Sequence, residues 1–196
     1  MTLWDLEMDK KLMIHPHDCT VTCIKFFGPN DEYLLSIDGG YKPSIFITEW
    51  QTMTRIHQIY LPTQKKNQSV QSFHCAYSKK REVIMLAENY RDQYSLTLWD
   101  FKVNNLSLIA TNNEENQEVC LGLHLFDDSR QIEFAVAERR TVKYWRYDRD
   151  RLDLLHRIHV KEDLVDSVVS TLAQFFLFTT RQGRLFILNK EVREDL

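Results

Sequence analysis

The side chains best suited to chemistry in this chain are its histidines and cysteines, and the first group to weigh is His15, His17, Cys19 and Cys23. Imidazole and thiolate are the ligands of a tetrahedral zinc site, but such a site needs its donors to converge on one point. Cys19 and Cys23 straddle a turn and the start of an apolar run, where residues four apart in an extended chain are separated by ~13 Å. That spacing favours a turn with His17 bonded inside the fold and Cys23 packed in the core, and no metal is expected. His156 and His159 point to opposite faces if 152–159 is a strand, which disfavours a second metal site. Nucleophilic catalysis would need Ser or Cys with a His and an orienting carboxylate. The chain spells no nucleophile elbow and no Gly-rich phosphate loop, and its only double glycine, Gly39-Gly40, reads as a β-turn. No catalytic residue, cofactor or small-molecule substrate is therefore expected, and the chain is read as a non-enzyme.

Charge narrows the partners. The 25 basic and 28 acidic side chains leave a formal charge of -3, without the basic footprint of a nucleic-acid binder. No apolar stretch approaches the roughly 18 residues of a membrane span. Lys79-Lys80-Arg81 and Arg139-Arg140 read as solvated turns and Lys65-Lys66 as a solvated loop. Their second reading is attraction to an acidic partner such as tubulin tails. Four irregularly spaced cysteines suit reduced thiols in an intracellular compartment. With 196 residues, 43% of them hydrophobic, the chain has the means for one domain or a piece of one.

The elements that must position these residues repeat. Segments 44–50, 95–101, 141–147 and 184–190 can be laid over one another, and a truncated copy opens the chain as Leu3-Trp4-Asp5-Leu6. Taking Trp4, Thr48, Trp99, Trp145 and Leu188 as equivalent gives intervals of 44, 51, 46 and 43 residues. Each unit opens with an apolar run ending in an aromatic residue (21–27, 70–77, 119–126), followed by a polar turn. A second run follows (33–37, 83–87, 132–137, 175–178), then the Trp-bearing third, then a weaker fourth (54–61, 106–110, 152–159). Short runs rich in β-branched and aromatic residues, divided by turn chemistry, read as strands. Residues 164–172 come nearest to a helical period, although Val165, Val168 and Val169 suit a strand equally well.

With this period (propeller blades repeat every ~40–45 residues), strand order and Trp-Asp endings, the chain resembles the WD-repeat (WD40) β-propeller family over essentially all its length. Leu3-Trp4-Asp5 and Leu98-Trp99-Asp100 match the signature best, and Trp145 holds the same place without the Asp. His17 stands where a Gly-His pair would sit, with Pro16 replacing the glycine. The resemblance implies that Ser36 and Asp38 bond to that His and to the Trp. The other units lack a convincing His and Asp, so the polar network within each blade is expected to be incomplete. The implied fold is all-β, a WD40-type propeller of 17 strands, about four blades plus part-blades. Its expected divisions are a part-blade at 1–17, blades at 18–62, 63–111 and 112–160, and a part-blade at 161–190. The ring is expected to be incomplete and the chain a piece of a larger protein; the alternative is a five-blade ring whose last blade is shared by Thr2 to Asp5 and Leu185 to Leu188.

The succession 42–50, 91–102, 141–145 and 181–187 is most similar to the large cilia- and flagella-associated WD-repeat proteins. That resemblance implies a non-catalytic scaffold of the axoneme, serving motility or dynein tethering, with axonemal or cytoskeletal complex subunits as partners. It places the chain in the cytoplasm or cytoskeleton, in a cilium or flagellum. Centrosomal and kinase-signalling WD scaffolds share a similar succession and are the alternative; a propeller enzyme ranks third. Trp50, Phe101 and Tyr147 fall at one place in successive units. They are either core between blades or an aromatic stripe on the rim, and the second reading makes them candidate partner-binding residues.

Overall fold

The computed structural model describes residues 2–5, 10–13, 17, 20–39, 42–61, 69–112, 118–126, 131–169 and 175–189. These form 17 strands, and no helix occurs among the described residues. The chain divides into two compact units, Met1–Ser72 and Phe73–Leu196.

In the first unit β1 (Thr2–Asp5) and β2 (Lys10–Met13) make a two-stranded antiparallel sheet, pairing Trp4 with Lys11 and Asp5 with Lys10. A four-stranded sheet follows in sequence order: β3 (Val21–Phe27), β4 (Tyr33–Asp38), β5 (Ser44–Glu49) and β6 (Thr54–Tyr60). The turn into β4 needs its glycine. Gly28 has φ 102°, and a Cβ there would meet the Glu32 carboxylate at 2.7 Å.

The second unit carries two more four-stranded antiparallel sheets. One is β7 (Ser72–Ser78, beginning one residue before the boundary), β8 (Val83–Asn89), β9 (Tyr94–Lys102) and β10 (Asn105–Thr111). The other is β11 (Gly122–Phe126), β12 (Glu133–Ala137), β13 (Thr141–Asp148) and β14 (Arg151–His159). A three-stranded sheet of β15 (Leu164–Val169), β16 (Phe175–Thr180) and β17 (Leu185–Asn189) completes it. The near-helical stretch is thus a strand over Leu164–Val169. The β13–β14 hairpin turns through Arg149 and Asp150, both at positive φ, the mirror-image turn that matches strand twist.

Equivalent positions in the sequence are equivalent in register. Thr48 pairs with Leu34, Trp99 with Ile84, Trp145 with Phe134 and Leu188 with Phe176. Opposite the first three of these positions the fourth strand carries one extra residue, so the pairing slips at Ile56, Ile109 and Leu155. A bulge in an outer strand bends it and spoils it as a template for further pairing.

Alternation along each strand sends one set of side chains to each face, and in the second unit these faces meet. Met85, Ala87, Leu96 and Leu98 pack on Leu123, Phe134, Val136 and Trp145 of the following sheet. Ala135, Val142, Tyr144 and Ile158 in turn meet Leu164 and Phe178. Each such buried Leu, Ile, Val or Phe side chain is worth about 1.5–3 kcal/mol over an exposed one.

Candidate functional site

A buried acid stands within one residue of the end of the second strand in three successive sheets, and a hydroxyl residue at or next to the start of the third strand stands beside it. These pairs are Asp38 with Ser44, Glu88 with Ser95, and Glu138 with Thr141, all six residues being buried. The backbone accounts for the placement: the antiparallel register puts both groups opposite each other at one end of the sheet. What differs is how each acid is satisfied.

In the first unit Asp38 is saturated. Its Oδ1 accepts the Ser44 backbone N–H at 2.6 Å, and its Oδ2 takes the Ser44 hydroxyl at 2.7 Å and lies 3.0 Å from His17 Nδ1. His17 Nε2 lies 2.8 Å from Ser36 Oγ, so both ring nitrogens are occupied. The expected tryptophan partner is absent from this network. Position 46, paired with Ser36, is a phenylalanine whose ring meets the His17 ring edge-on at 4.4 Å. The tryptophan's register position in this sheet is Thr48, and Trp50 Nε1 donates to the Asp31 carbonyl at 2.7 Å.

In the third four-stranded sheet the acid is met by a cation. Glu138 Oε1 lies 2.5 Å from Lys143 Nζ and accepts the Tyr94 hydroxyl at 2.8 Å, joining two sheets of the second unit. Burial and the Glu138 charge both raise the Tyr94 pKa, which keeps the phenol a donor. In the sheet between, Glu88 is fully buried and receives only the Tyr90 hydroxyl, at 2.9 Å on Oε2. Its Oε1 has no hydrogen-bond partner among the described residues. Desolvation pushes its carboxyl up to about 7, against a partial pull downward from Tyr90.

Next to this row, Asn89 acts as a piece of strand. Its amide donates to the Cys120 carbonyl at 2.7 Å and accepts the Cys120 N–H at 2.8 Å. Asn112, the first residue of the polar stretch 112–118, is buried and pairs with Leu96 through its side chain and backbone. Residues 113–117 lie outside the described residues.

The remaining candidates fall as follows. Trp99 is buried with Nε1 donating to Thr97 Oγ1 at 2.9 Å; Trp145 is fully buried and stacks on Phe134 at 6.2 Å. Asp100 is half-buried, 3.7 Å from Lys102 Nζ. The backbone N–H groups of Trp50, Phe101 and Tyr147 bond the carbonyls of Glu32, Glu82 and Ile132, so the three do share one register position. They do not share exposure: Phe101 is 4% exposed and presents no ring to a partner, while Trp50 and Tyr147 are half-buried.

Arg139 and Arg140 are exposed in their turn as expected, and they are also paired. Both guanidinium groups grip Asp163, at 2.9 Å from Arg139 Nε and 2.5 Å from Arg140 Nε, and hold its carboxyl below the usual range. Lys79 and Lys80 are exposed as expected; Lys65 and Lys66 lie outside the described residues.

No group of three or more His, Cys, Asp or Glu side chains among the described residues could hold a metal ion. His15 and Cys19 lie outside those residues. Burial pushes the Cys23 thiol up to about 11 and raises that of Cys120 as well, so neither is poised as a thiolate. His156 stacks on Tyr144 at 4.4 Å, and His159 Nδ1 lies 3.4 Å from Thr141 Oγ1. The acids are therefore built into the sheets as hydrogen-bonding supports. Sequence reasoning missed Glu88 and Glu138 in this role, and the repeated hydroxyl residue after the turn was the signal that could have found them.

No protein-family model matches the sequence. No curated protein is significantly similar to it. Solved structures do match in fold. The β-propeller domain of Cps50 (Swd1) from Myceliophteria thermophila superposes with a TM-score of 0.67 at 15% identity, over 91% of this chain and 55% of that one. KlAtg21, solved in complex with the coiled-coil of AgAtg16, gives a TM-score of 0.71 at 8% identity, over 98% of this chain and 59% of that one. The fold is thus all-β and of the WD40 β-propeller type, built of consecutive antiparallel sheets. The chain spans a little over half the length of these solved chains.

Proposed function

We propose that this chain is a non-catalytic protein–protein interaction scaffold, and that it serves in the axoneme of a cilium or flagellum, in motility or dynein tethering. The observation that carries the scaffold reading is how the polar side chains are used. His17, Asp38, Glu138, Lys143, Asn89 and Asp163 are all engaged in bonds that hold strands and sheets together. At the register position of Trp50 and Tyr147, by contrast, aromatic rings remain partly at the surface. Rigid sheets carrying partly exposed aromatics are suited to holding another protein. A protein of the same fold, KlAtg21, has been solved with a coiled coil, a partner type common in cytoskeletal assemblies. The axonemal assignment rests on the succession of third-strand phrases and on nothing finer.

Proximity labelling in ciliated cells tests both levels. A tagged chain is expected at the axoneme, with dynein-tethering subunits enriched among its neighbours. Enrichment at centrosomes or kinase complexes would overturn the axonemal assignment and leave the scaffold. Trp50→Ala and Tyr147→Ala are expected to deplete those neighbours while lowering Tm by only a few degrees. Unchanged neighbours would remove both residues from the binding surface.

A further inference from the structure

At one end of the β7–β10 sheet the chain gathers positive charge. The β7–β8 turn supplies Lys79, Lys80 and Arg81, and the end of β9 supplies Lys102, all four exposed. Two carboxylates share this end: Glu82 in the turn, and Asp100, 3.7 Å from Lys102 Nζ. Four cations against two carboxylates leave a surplus of two positive charges, on a chain whose formal total is -3.

The position itself does not call for cations. The matching end of the first four-stranded sheet, residues 28–33 and 49–54, carries Asp31, Glu32 and Glu49 and no Lys or Arg. Nor does a turn that only meets water need to be held as this one is. The Arg81 backbone N–H donates to the Ser78 hydroxyl at 3.2 Å, and Ser78 is buried. Glu82 sits at φ 53°, and its carbonyl accepts the Phe101 N–H at 2.8 Å. The turn is thereby tied to β9 and fixed before any partner arrives, which spares ordering entropy on binding. Like charges held together repel, and an anion bound among them relieves the repulsion.

Phe101 marks a second difference. At the register position where Trp50 and Tyr147 keep their rings partly at the surface, Phe101 is sealed, with Tyr77 edge-on at 6.4 Å. This sheet therefore offers charge, with Val103 50% exposed beside it, where the other two offer an aromatic ring.

We propose that this end of the β7–β10 sheet is a docking surface for an acidic peptide, a Glu- and Asp-rich segment of another protein, held by Lys79, Lys80, Arg81 and Lys102. A peptide fits better than a nucleic acid or an anionic membrane. Four cations on one sheet end match a short run of carboxylates, whereas an extended polyanion would also meet the negative remainder of the chain. The proposal depends neither on the axonemal assignment nor on the position of Trp50 and Tyr147.

Fluorescence anisotropy of a labelled oligoglutamate peptide with the 196-residue chain is expected to show saturable binding at about 50 mM salt, weakening ~tenfold at about 200 mM. Lys79→Glu with Lys80→Glu should weaken it by at least ~tenfold, and Lys79→Gln with Lys80→Gln by less. Lys42→Glu with Lys161→Glu changes net charge equally at exposed lysines outside this sheet, and should leave binding as it was. Melting curves check that each variant folds; the glutamine pair carries the test if the glutamate pair does not. Absence of binding at low salt overturns the proposal, as does binding that ignores salt or an equal loss in the two glutamate pairs. Tighter binding of an oligothymidylate of equal charge, or of phosphatidylserine vesicles, overturns it in favour of a nucleic acid or a membrane.

Discussion

His17 shows what a single side chain does in this fold. Its ring spans Ser36 and Asp38 with its side chain 1% exposed, so deleting it strands a hydroxyl and a carboxylate where water cannot replace it. Leaving buried polar groups unpaired costs about 1–3 kcal/mol, more when one is charged. His17→Ala is therefore expected to lower stability by about 2–3 kcal/mol in chemical denaturation. Asp38→Ala should cost at least as much, and the double variant less than the sum of the two. Strict additivity would show that the pair is not coupled. Glu88 makes a different prediction, because its acid has no cation. Burial holds the folded carboxyl at about 7 against 4.5 for the free side chain, so the folded state keeps a proton that the unfolded chain gives up. That contribution, roughly 3 kcal/mol, is whole below pH 4.5 and is lost as pH rises through 7. The wild-type Tm should fall between pH 5 and pH 8, and Glu88→Gln should flatten that fall. Parallel declines in the two proteins would clear Glu88 of any part in it.

At the scale of elements, the strands were legible because alternation and turn chemistry are local. The strand runs of each repeat stand in the sheets where the repeat put them, and the third strand sets the register in every copy. Asp38 was legible through its place beside His17, but Glu88 and Glu138 were not, because the turn between second and third strands varies in length. Ten residues separate Asp38 from Thr48, eleven separate Glu88 from Trp99, and seven separate Glu138 from Trp145. An alignment on the tryptophans therefore scatters the acids, and only the hydrogen-bond register collects them. The shared position of Trp50, Phe101 and Tyr147 was legible, but not that one of the three is sealed, since exposure depends on the neighbouring side chains. Phe101→Ala is accordingly expected to behave as a core truncation, costing about 3–5 kcal/mol. Asn89→Ala removes two hydrogen bonds between β8 and the segment leading into β11, and should cost about 2–3 kcal/mol. Amide exchange at Cys120 should quicken in that variant before the rest of β8 responds; simultaneous loss across the sheet would mean that the link is not local.

At the scale of the molecule, a repeat protein gains stability from the faces between neighbouring units as well as from the units themselves. The second unit makes this concrete. Its last four-stranded sheet buries Ala135, Val142, Tyr144 and Ile158 against the sheet of β15, β16 and β17, through Leu164 and Phe178. Arg139 and Arg140 add their grip on Asp163 at the end of the same contact. A chain ending at Val160 would expose all four apolar side chains and leave both arginines without Asp163. With about 1.5–3 kcal/mol for each large apolar side chain, the loss should be about 5 kcal/mol, or ~10–20 °C in Tm. The shortened chain should also bind a hydrophobic dye at temperatures where the full chain does not. An unchanged Tm would mean that each sheet is stable alone and that the faces between them only set spacing. The expected drop would make the apolar face itself the unit of assembly.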